Sequence, residues 1–330
     1  MVGRLTLKSF GPILAAAILI GLASVAAAEP DDTDFEDESL PTETRDSAHN
    51  ERDNASQIDT VQETEQATEK PHELTSDDLA RELASPNTPL ARLTFEINTT
   101  FFDNDVTGND KTEVANFLLF QPIFPFPLTD DGTTNLFVRP AFTFFTKSPV
   151  FDAGDANFDS ESGFGDWGYD IALGRSYDSG IIVVGGVQGT IPIGEDDFTG
   201  DTWRMGPEFI MAHLNKQRAF AIFPQHQWDF AGNGDDFSST TIQPIYLKFL
   251  SGGWVVGTSP EIVYDWKDNQ LTLPIDLEVR KLVKVGNVPV QLKLNLDYFV
   301  ERDDDFGQKF QIKVSFTPIV KNFIYALFND

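Results

Sequence analysis

ARLTFEINTTFF, residues 91–102, alternates two kinds of side chain. Leu93, Phe95, Ile97, Thr99 and Phe101 hold one parity; Arg92, Thr94, Glu96, Asn98 and Thr100 hold the other. A strand sends successive side chains to opposite faces, so this stretch reads as a strand with one apolar and one wet face. Trp167, Tyr169, Ile171 and Leu173 repeat the pattern against Asp166, Gly168, Asp170 and Ala172. So do Val290, Leu292, Leu294, Leu296 and Tyr298 against Gln291, Lys293, Asn295, Asp297 and Phe299. No segment of helical period interrupts them after residue 90.

Turn signals divide residues 90–330 into twelve expected strands: 91–102, 113–125, 135–146, 164–174, 181–191, 202–214, 218–230, 239–250, 253–265, 271–280, 288–300 and 309–320. The short spacing fits consecutive antiparallel hairpins, an up-and-down order, better than crossovers. In Val285-Gly286-Asn287-Val288 the glycine supplies the positive φ of a tight hairpin. Pro140, Pro207, Pro224, Pro244, Pro260 and Pro274 fall inside these strands, so bulges or displaced boundaries are expected there.

The connections decide where the apolar face points. Alternate loops (103–111, 147–163, 194–201, 231–238, 265–270 and 301–308) carry 19 acids and 4 bases. The intervening turns (128–134, 175–180, 215–218, 251–253 and 281–287) are shorter and carry 3 acids and 5 bases. Long polar loops on one rim and short turns on the other are the asymmetry of a transmembrane β-barrel, not of a soluble sandwich. Aromatic residues also collect at strand ends. One girdle is expected to hold Phe101, Phe144, Trp167, Trp203, Trp228, Tyr264, Trp266 and Tyr298, and the other Phe124, Phe126, Phe137, Phe220, Phe249, Trp254 and Phe316. Lipid interfaces select such rings, because they tolerate a half-wet boundary.

Composition agrees. With 52 acidic and 24 basic residues and a net charge of −28, the chain is no natural partner of nucleic acid. It has no cysteine, which removes disulfides, thiolate metal sites and cysteine nucleophiles. Four separated histidines (His49, His72, His213 and His226) leave little for a metal centre, and no cofactor is expected. Mean hydropathy of −0.22 excludes a bundle of membrane helices.

Two N-terminal blocks precede the barrel. Residues 1–28 carry Arg4 and Lys8, an apolar run from Ile13 to Leu22, and Ala26-Ala27-Ala28: the layout of a cleaved secretory signal peptide. Residues 29–89 hold 19 acids and 4 bases with almost no aromatics, too little apolar surface to offset chain entropy, so a disordered acidic segment is expected. One short helix, Asp77 to Ala84 capped by Ser76, is the exception the spacing allows.

The segments LLFQPIFPF (118–126), GFGDWGYDIALGR (163–175), TWRMGP (202–207), FPQHQWDFAG (223–232), IQPIYLKFLSGGWVVGTSPEIVYDWK (242–267) and VRKLVKVGNVPVQLKL (279–294) resemble a family of Gram-negative outer-membrane barrels. Its members are catalogued as transporters, sometimes under the misapplied label neuromedin U, and look related to barrels of the phenol-degradation MetA pathway. The resemblance spans about 115–320 and implies transport without fixing a substrate.

If the apolar parity faces lipid, the other lines a lumen. The expected lumen set is Arg92, Glu96, Arg139, Asp170, Gln188, Arg204, Glu208, Gln225, Glu261, Asp276, Glu278, Arg280, Lys293, Asp297 and Lys313. Its charges nearly balance, which fits either a narrow polar path or a wall of neutralising salt bridges. The Asp-rich loops lack the spacing of an EF-hand. Enzymatic activity is not expected. A lipid-face hydrolase needs serine, histidine and an orienting group together, no GxSxG motif occurs, and the 215–217 turn keeps His213 away from His226.

These readings converge on an outer-membrane channel or transporter for small molecules, apolar or aromatic ones included, with both termini periplasmic. Its expected partners are outer-membrane lipid, the permeant and the barrel-assembly machinery during biogenesis. The alternative is a closed structural or surface-interaction barrel with acidic outer loops.

Overall fold

The computed structural model describes residues 75–107, 111–152, 154, 157–322 and 324–325. The signal peptide and most of the acidic segment lie outside them. Helix α1 (Ser76–Ala84) is followed by strands β1 (Ala91–Phe102), β2 (Glu113–Pro127), β3 (Thr134–Asp152), β4 (Asn157–Phe164), β5 (Trp167–Ser176), β6 (Ile181–Ile191) and β7 (Thr202–Leu214). Then come β8 (Arg218–Gly232), β9 (Ser238–Leu250), β10 (Trp254–Thr258), β11 (Ile262–Asp265), β12 (Gln270–Val285), β13 (Val288–Glu301) and β14 (Gln308–Val320).

Every pairing is antiparallel, and β14 returns to β1 to close the sheet. Two staves are broken. β4 and β5 pair with successive parts of β3, and β10 and β11 both lie between β9 and β12. Counted as staves, the cylinder has twelve strands, as the periodicity predicts. Closure removes the unpaired edges that hydrocarbon would punish.

The cylinder is inverted relative to a soluble protein. Ile275 is 64% exposed, Leu277 57% and Met211 52%, while Glu278 is 1% exposed and Asn98, Thr100, Asp297 and Ser315 are each 2% exposed. A continuous belt of exposed large apolar side chains around a polar interior fits lipid outside and a wet or ion-paired lumen within.

Register explains how the prolines fit. Pro260 sits in the β10–β11 break, and Pro274 at a register shift opposite Phe299. Between β7 and β8, Met205 pairs Trp228, Glu208 pairs Gln225 and Met211 pairs Ile222; the frame is kept while the ladder lapses beside Pro207 and Pro224. A proline lacks the amide that would complete those rungs.

Several sequence expectations change. The loop expected at 147–163 instead carries the end of β3 and most of β4, a hairpin reaching beyond the barrel rim. Phe137 and Phe249 leave the expected girdle, because they share parity with inward residues; Phe137 is 5% exposed and Phe249 packs beside the buried Leu247 and Val255. Phe124 keeps the outward parity, yet it too is buried. The segment expected to be disordered through 89 is ordered from Thr75 on. Its Leu79, Ala80 and Leu83 find apolar partners on the inner wall. The helix cap is Thr75, not Ser76: the Thr75 hydroxyl accepts from the Asp78 amide, and the Asp78 carboxylate answers the Thr75 amide. The side-chain hydrogen bond from Thr75 also holds the Asp78 carboxyl below its ordinary range, with Arg81 assisting.

Candidate functional site

The inner wall comes from one parity of each strand. β1 contributes Arg92, Thr94 and Glu96, β3 Arg139, β5 Asp170, β12 Arg280, β13 Lys293 and β14 Ser315, all lining one central cavity of about 640 Å³. Gln188, Gln225 and Glu261 of the expected set line it as well. A second cavity of about 280 Å³ shares Glu261 and adds Asp297 and Lys313. The other four expected residues line neither. Asp276 and Glu278 are buried in the wall, Glu208 is buried with its Oε2 unpartnered, and Arg204 lies nearer the long-loop end, over the Phe237 ring at 4.0 Å.

Ion pairs hug the wall. Lys293 meets Glu96 at 3.0 Å with only Ser315 of β14 between their strands, and Ser315 donates to the same carboxylate. Lys313 meets Asp297 at 3.1 Å on the adjacent strand, Arg280 meets Glu278 at 2.7 Å within one strand, and Arg139 pairs with Asp170 next door. Asp276 accepts from Ser259 and Asn295. Among the described residues, none of these pairs crosses the bore. Most of the wall's charges are thereby matched, Glu208 and Arg92 excepted, while the centre stays unfilled by side chains.

Sequence reasoning missed much of the lining. Gln121, Gln227, Gln243 and Gln291 join Gln188 and Gln225 around the cavity, and Leu119 and Phe223 face it too. Parity alone marks them, since Gln121 pairs Thr94 and Phe223 pairs Gln243 across adjacent strands.

The floor comes from the N-terminal segment. Leu79 and Leu83 of α1 pack on Leu282 and Ile319, and Ala80 on Ala219, Leu247 and Val255. Asp77 accepts from the amide of Gly253, whose φ of +75° and crowding against Ser76 leave no room for a side chain. Arg92 donates from Nη1 to the Leu83 carbonyl at 2.9 Å. The chain then crosses to the other wall, where Asn87 donates to Thr133 and Ser176 and accepts from Asn135. Leu83, Ala84, Ser85 and Pro86 line the cavity from below.

The long-loop end differs. Asp103 bridges Arg302 at 2.5 Å and Lys309 at 2.9 Å. Slight burial opposes ionisation, but those hydrogen bonds prevail and hold the carboxyl below its ordinary range. Phe306 stacks on Phe102 and on Phe158, each at 4.7 Å, and Phe158 meets Phe151, which ties the β3–β4 hairpin to the β13–β14 loop.

On the outer face Trp167, Trp203, Trp228, Trp266 and Tyr298 are exposed toward the long-loop end, and Tyr264 meets Trp266 edge-on at 4.8 Å. Trp254 stands at the opposite end beneath Lys281, 4.6 Å from its ring. His213 pairs opposite Phe220, and His226 Nδ1 meets Thr240 Oγ1 at 2.8 Å. The two histidines are held apart, and the described residues hold no group of three metal-binding side chains.

A crystal structure of an outer-membrane channel from Pseudomonas putida F1 has this architecture, with a TM-score of 0.58 at 15% identity over 70% of this chain and 96% of that one. This chain has the fold of an outer-membrane β-barrel. Looser similarity links it to outer-membrane phospholipase A from Escherichia coli (TM-score 0.40, 13% identity, 76% of this chain and 100% of that one). The CymD monoaromatic hydrocarbon channel is comparable (TM-score 0.40, 8% identity, 75% of this chain and 91% of that one). No family model matches the chain, and no curated protein sequence does.

Proposed function

We propose that the barrel is a gated channel for small molecules, with the expected lumen residues that border its cavities as its conducting wall. One observation carries this reading: a lumen cavity of about 640 Å³ most of whose charged groups pair along the wall and leave the bore free. A barrel serving only as a scaffold gains nothing from an unfilled chamber, since packing side chains there would add stability. The Pseudomonas putida barrel of like architecture is an outer-membrane channel, which agrees. The transporter family that segments 118–126 and 242–267 resemble agrees as well.

The second reading, a closed interaction barrel, draws on the floor that residues 75–90 lay across the short-turn end. Under the channel reading that floor is a gate. We take the short-turn end, with both termini, as periplasmic, which puts the acidic rim outside. A lipid-face hydrolase has the least support. The Thr240 hydroxyl beside His226 also receives the Trp266 indole N–H, and no carboxylate or amide reaches that imidazole among the described residues.

Planar-bilayer recording of the refolded protein tests the reading. Discrete current steps, enlarged when residues 75–90 are removed, are expected of a channel; a silent barrel in both forms would leave the scaffold.

A further inference from the structure

The cavity wall is two-sided in its chemistry. β1 and β8 are the first and seventh of twelve staves, so they face each other across the bore. Arg92 stands on β1, with Arg139 two staves away on β3 and Arg280 three staves away on β12, close enough for their charges to interact. On the opposite side Ile210 of β7, Phe223 of β8 and Ile245 of β9 are the apolar residues, with Ile245 diagonal to Phe223 beside Gln243.

Of the carboxylates nearby, Asp170 holds Arg139, Glu96 holds Lys293 and Glu278 holds Arg280; Glu82 of α1 reaches Arg92 through its charge without an ion pair, and Glu208 of β7 keeps its Oε2 unpartnered. Glu261 stands at the border of the second cavity, which it shares with Lys313. Arg92 is therefore the cation left over. Among the described residues no carboxylate lies within ion-pair distance of it. Its one protein acceptor is the Leu83 carbonyl, its Nε has no partner, and the Nε of Arg280 is likewise unpartnered. A half-buried guanidinium with spare donors, beside a chamber of ligand size, is costly unless something anionic visits it.

We propose that the chamber binds a small apolar carboxylate, an aryl or short alkyl acid, with the carboxylate at Arg92 and the hydrocarbon body against Ile210, Phe223 and Ile245. The proposal rests on the channel reading and narrows it from small molecules to organic acids. The six glutamines supply neutral donors and acceptors for water and for polar substituents on the ring or chain. A volume of about 640 Å³ accommodates a monocyclic acid with its water. An uncharged hydrocarbon would leave Arg92 unanswered, and an acid without a body would leave the apolar wall wet.

Titration calorimetry on the refolded, detergent-solubilised full chain tests this, with benzoate, neutral benzamide and acetate as probes. Benzoate is expected to bind at least about tenfold more tightly than either, since a charge-assisted hydrogen bond and a buried ring each carry about a factor of ten. Arg92→Gln should erase the preference for benzoate over benzamide, and Lys267→Gln, in an outer turn, should keep it. If Arg92→Gln does not refold, Ile210→Asn on the facing wall decides instead, by losing benzoate affinity while acetate is unchanged. Equal binding of benzoate and benzamide, or no binding of either, overturns the proposal. Binding is read here without flux. Current steps without benzoate preference therefore defeat this inference alone, and benzoate binding to a barrel that never conducts defeats the channel reading alone.

Discussion

The two mouths of the barrel are built by opposite means. At the short-turn end a nine-residue helix seats Leu79 and Leu83 on Leu282 and Ile319, an apolar contact inside the cylinder. At the long-loop end Asp103, Arg302 and Lys309 form a solvated ion cluster, and Phe102, Phe306 and Phe158 stack above it. The same strands thus end in a dry seat and in a wet rim. Burial holds the first. Screened charge and ring stacking hold the second, and these are worth much less. The gated channel proposed above would gain from that asymmetry, with the apolar seat as the gate and the charged rim as the entrance.

Breaking the dry seat should have the largest effect. Leu79→Asp combined with Leu83→Asp removes about 3–6 kcal/mol of apolar burial and places charge on the inner wall. The floor should leave the mouth, and single-channel conductance should rise severalfold. Unchanged conductance would mean that residues 75–90 do not occlude the path.

Asn87→Ala tests the other anchor of the same floor. It leaves one N–H of the fully buried Asn135 amide without its acceptor, at a cost of about 2 kcal/mol, while the other keeps the Gly132 carbonyl and the Thr133 carbonyl keeps the Ser176 amide. Brief openings in bilayer records should become more frequent, without the full conductance of the double variant.

At the rim, Phe306→Ala removes two stacked contacts worth about 1 kcal/mol each. Hydrogen exchange should accelerate in the β3–β4 hairpin and the 302–307 loop and leave α1 unchanged. The smallest expected effect concerns pH. Because the folded Asp103 carboxyl lies below its ordinary value, its contribution is fully present above that value and fades as pH falls through the depressed one. Protection in the 302–307 loop, normalised to the intrinsic amide exchange rate at each pH, should therefore be flat from pH 7 to about 4 and fall only in stronger acid. A fall beginning near pH 6 would mean another group holds the loop.

The barrel is largely legible in the sequence, the floor only in part. Alternation sets strand starts at 91, 181, 202 and 218, and the structure begins strands there, because a one-residue slip would turn Phe95 and Ile97 into the lumen and Glu96 into lipid. Parity also carries Arg92, Glu96, Lys293 and Asp297 to the inner face. Composition misleads where context overrides it. The acidic stretch around Ser76–Ala84 looks solvated, yet three apolar side chains on one helical face suffice to dock it, because the barrel supplies the complementary wall. Phe137 and Phe249 stand near strand ends, as girdle residues do, although their parity already puts them inside. The β3–β4 hairpin leaves no clear period because Pro149, Val150 and Phe151 are apolar in succession and Phe158 stands alone among polar neighbours; strand pairing and the Phe151–Phe158–Phe306 rings hold it. Ion-pair partners depend on which strands become neighbours, and periodicity does not encode that.

The native chain has no cysteine, so single cysteines report on the central claim without background. Gln225→Cys, facing the chamber, and Ile275→Cys, on the outer belt, are to be compared in proteoliposomes. A water-soluble maleimide should label position 225 and spare position 275, while a bilayer-confined quencher should reach a probe at 275 and not at 225. The reverse pattern, or equal labelling of both by the water-soluble reagent, would contradict a membrane cylinder with a wet interior.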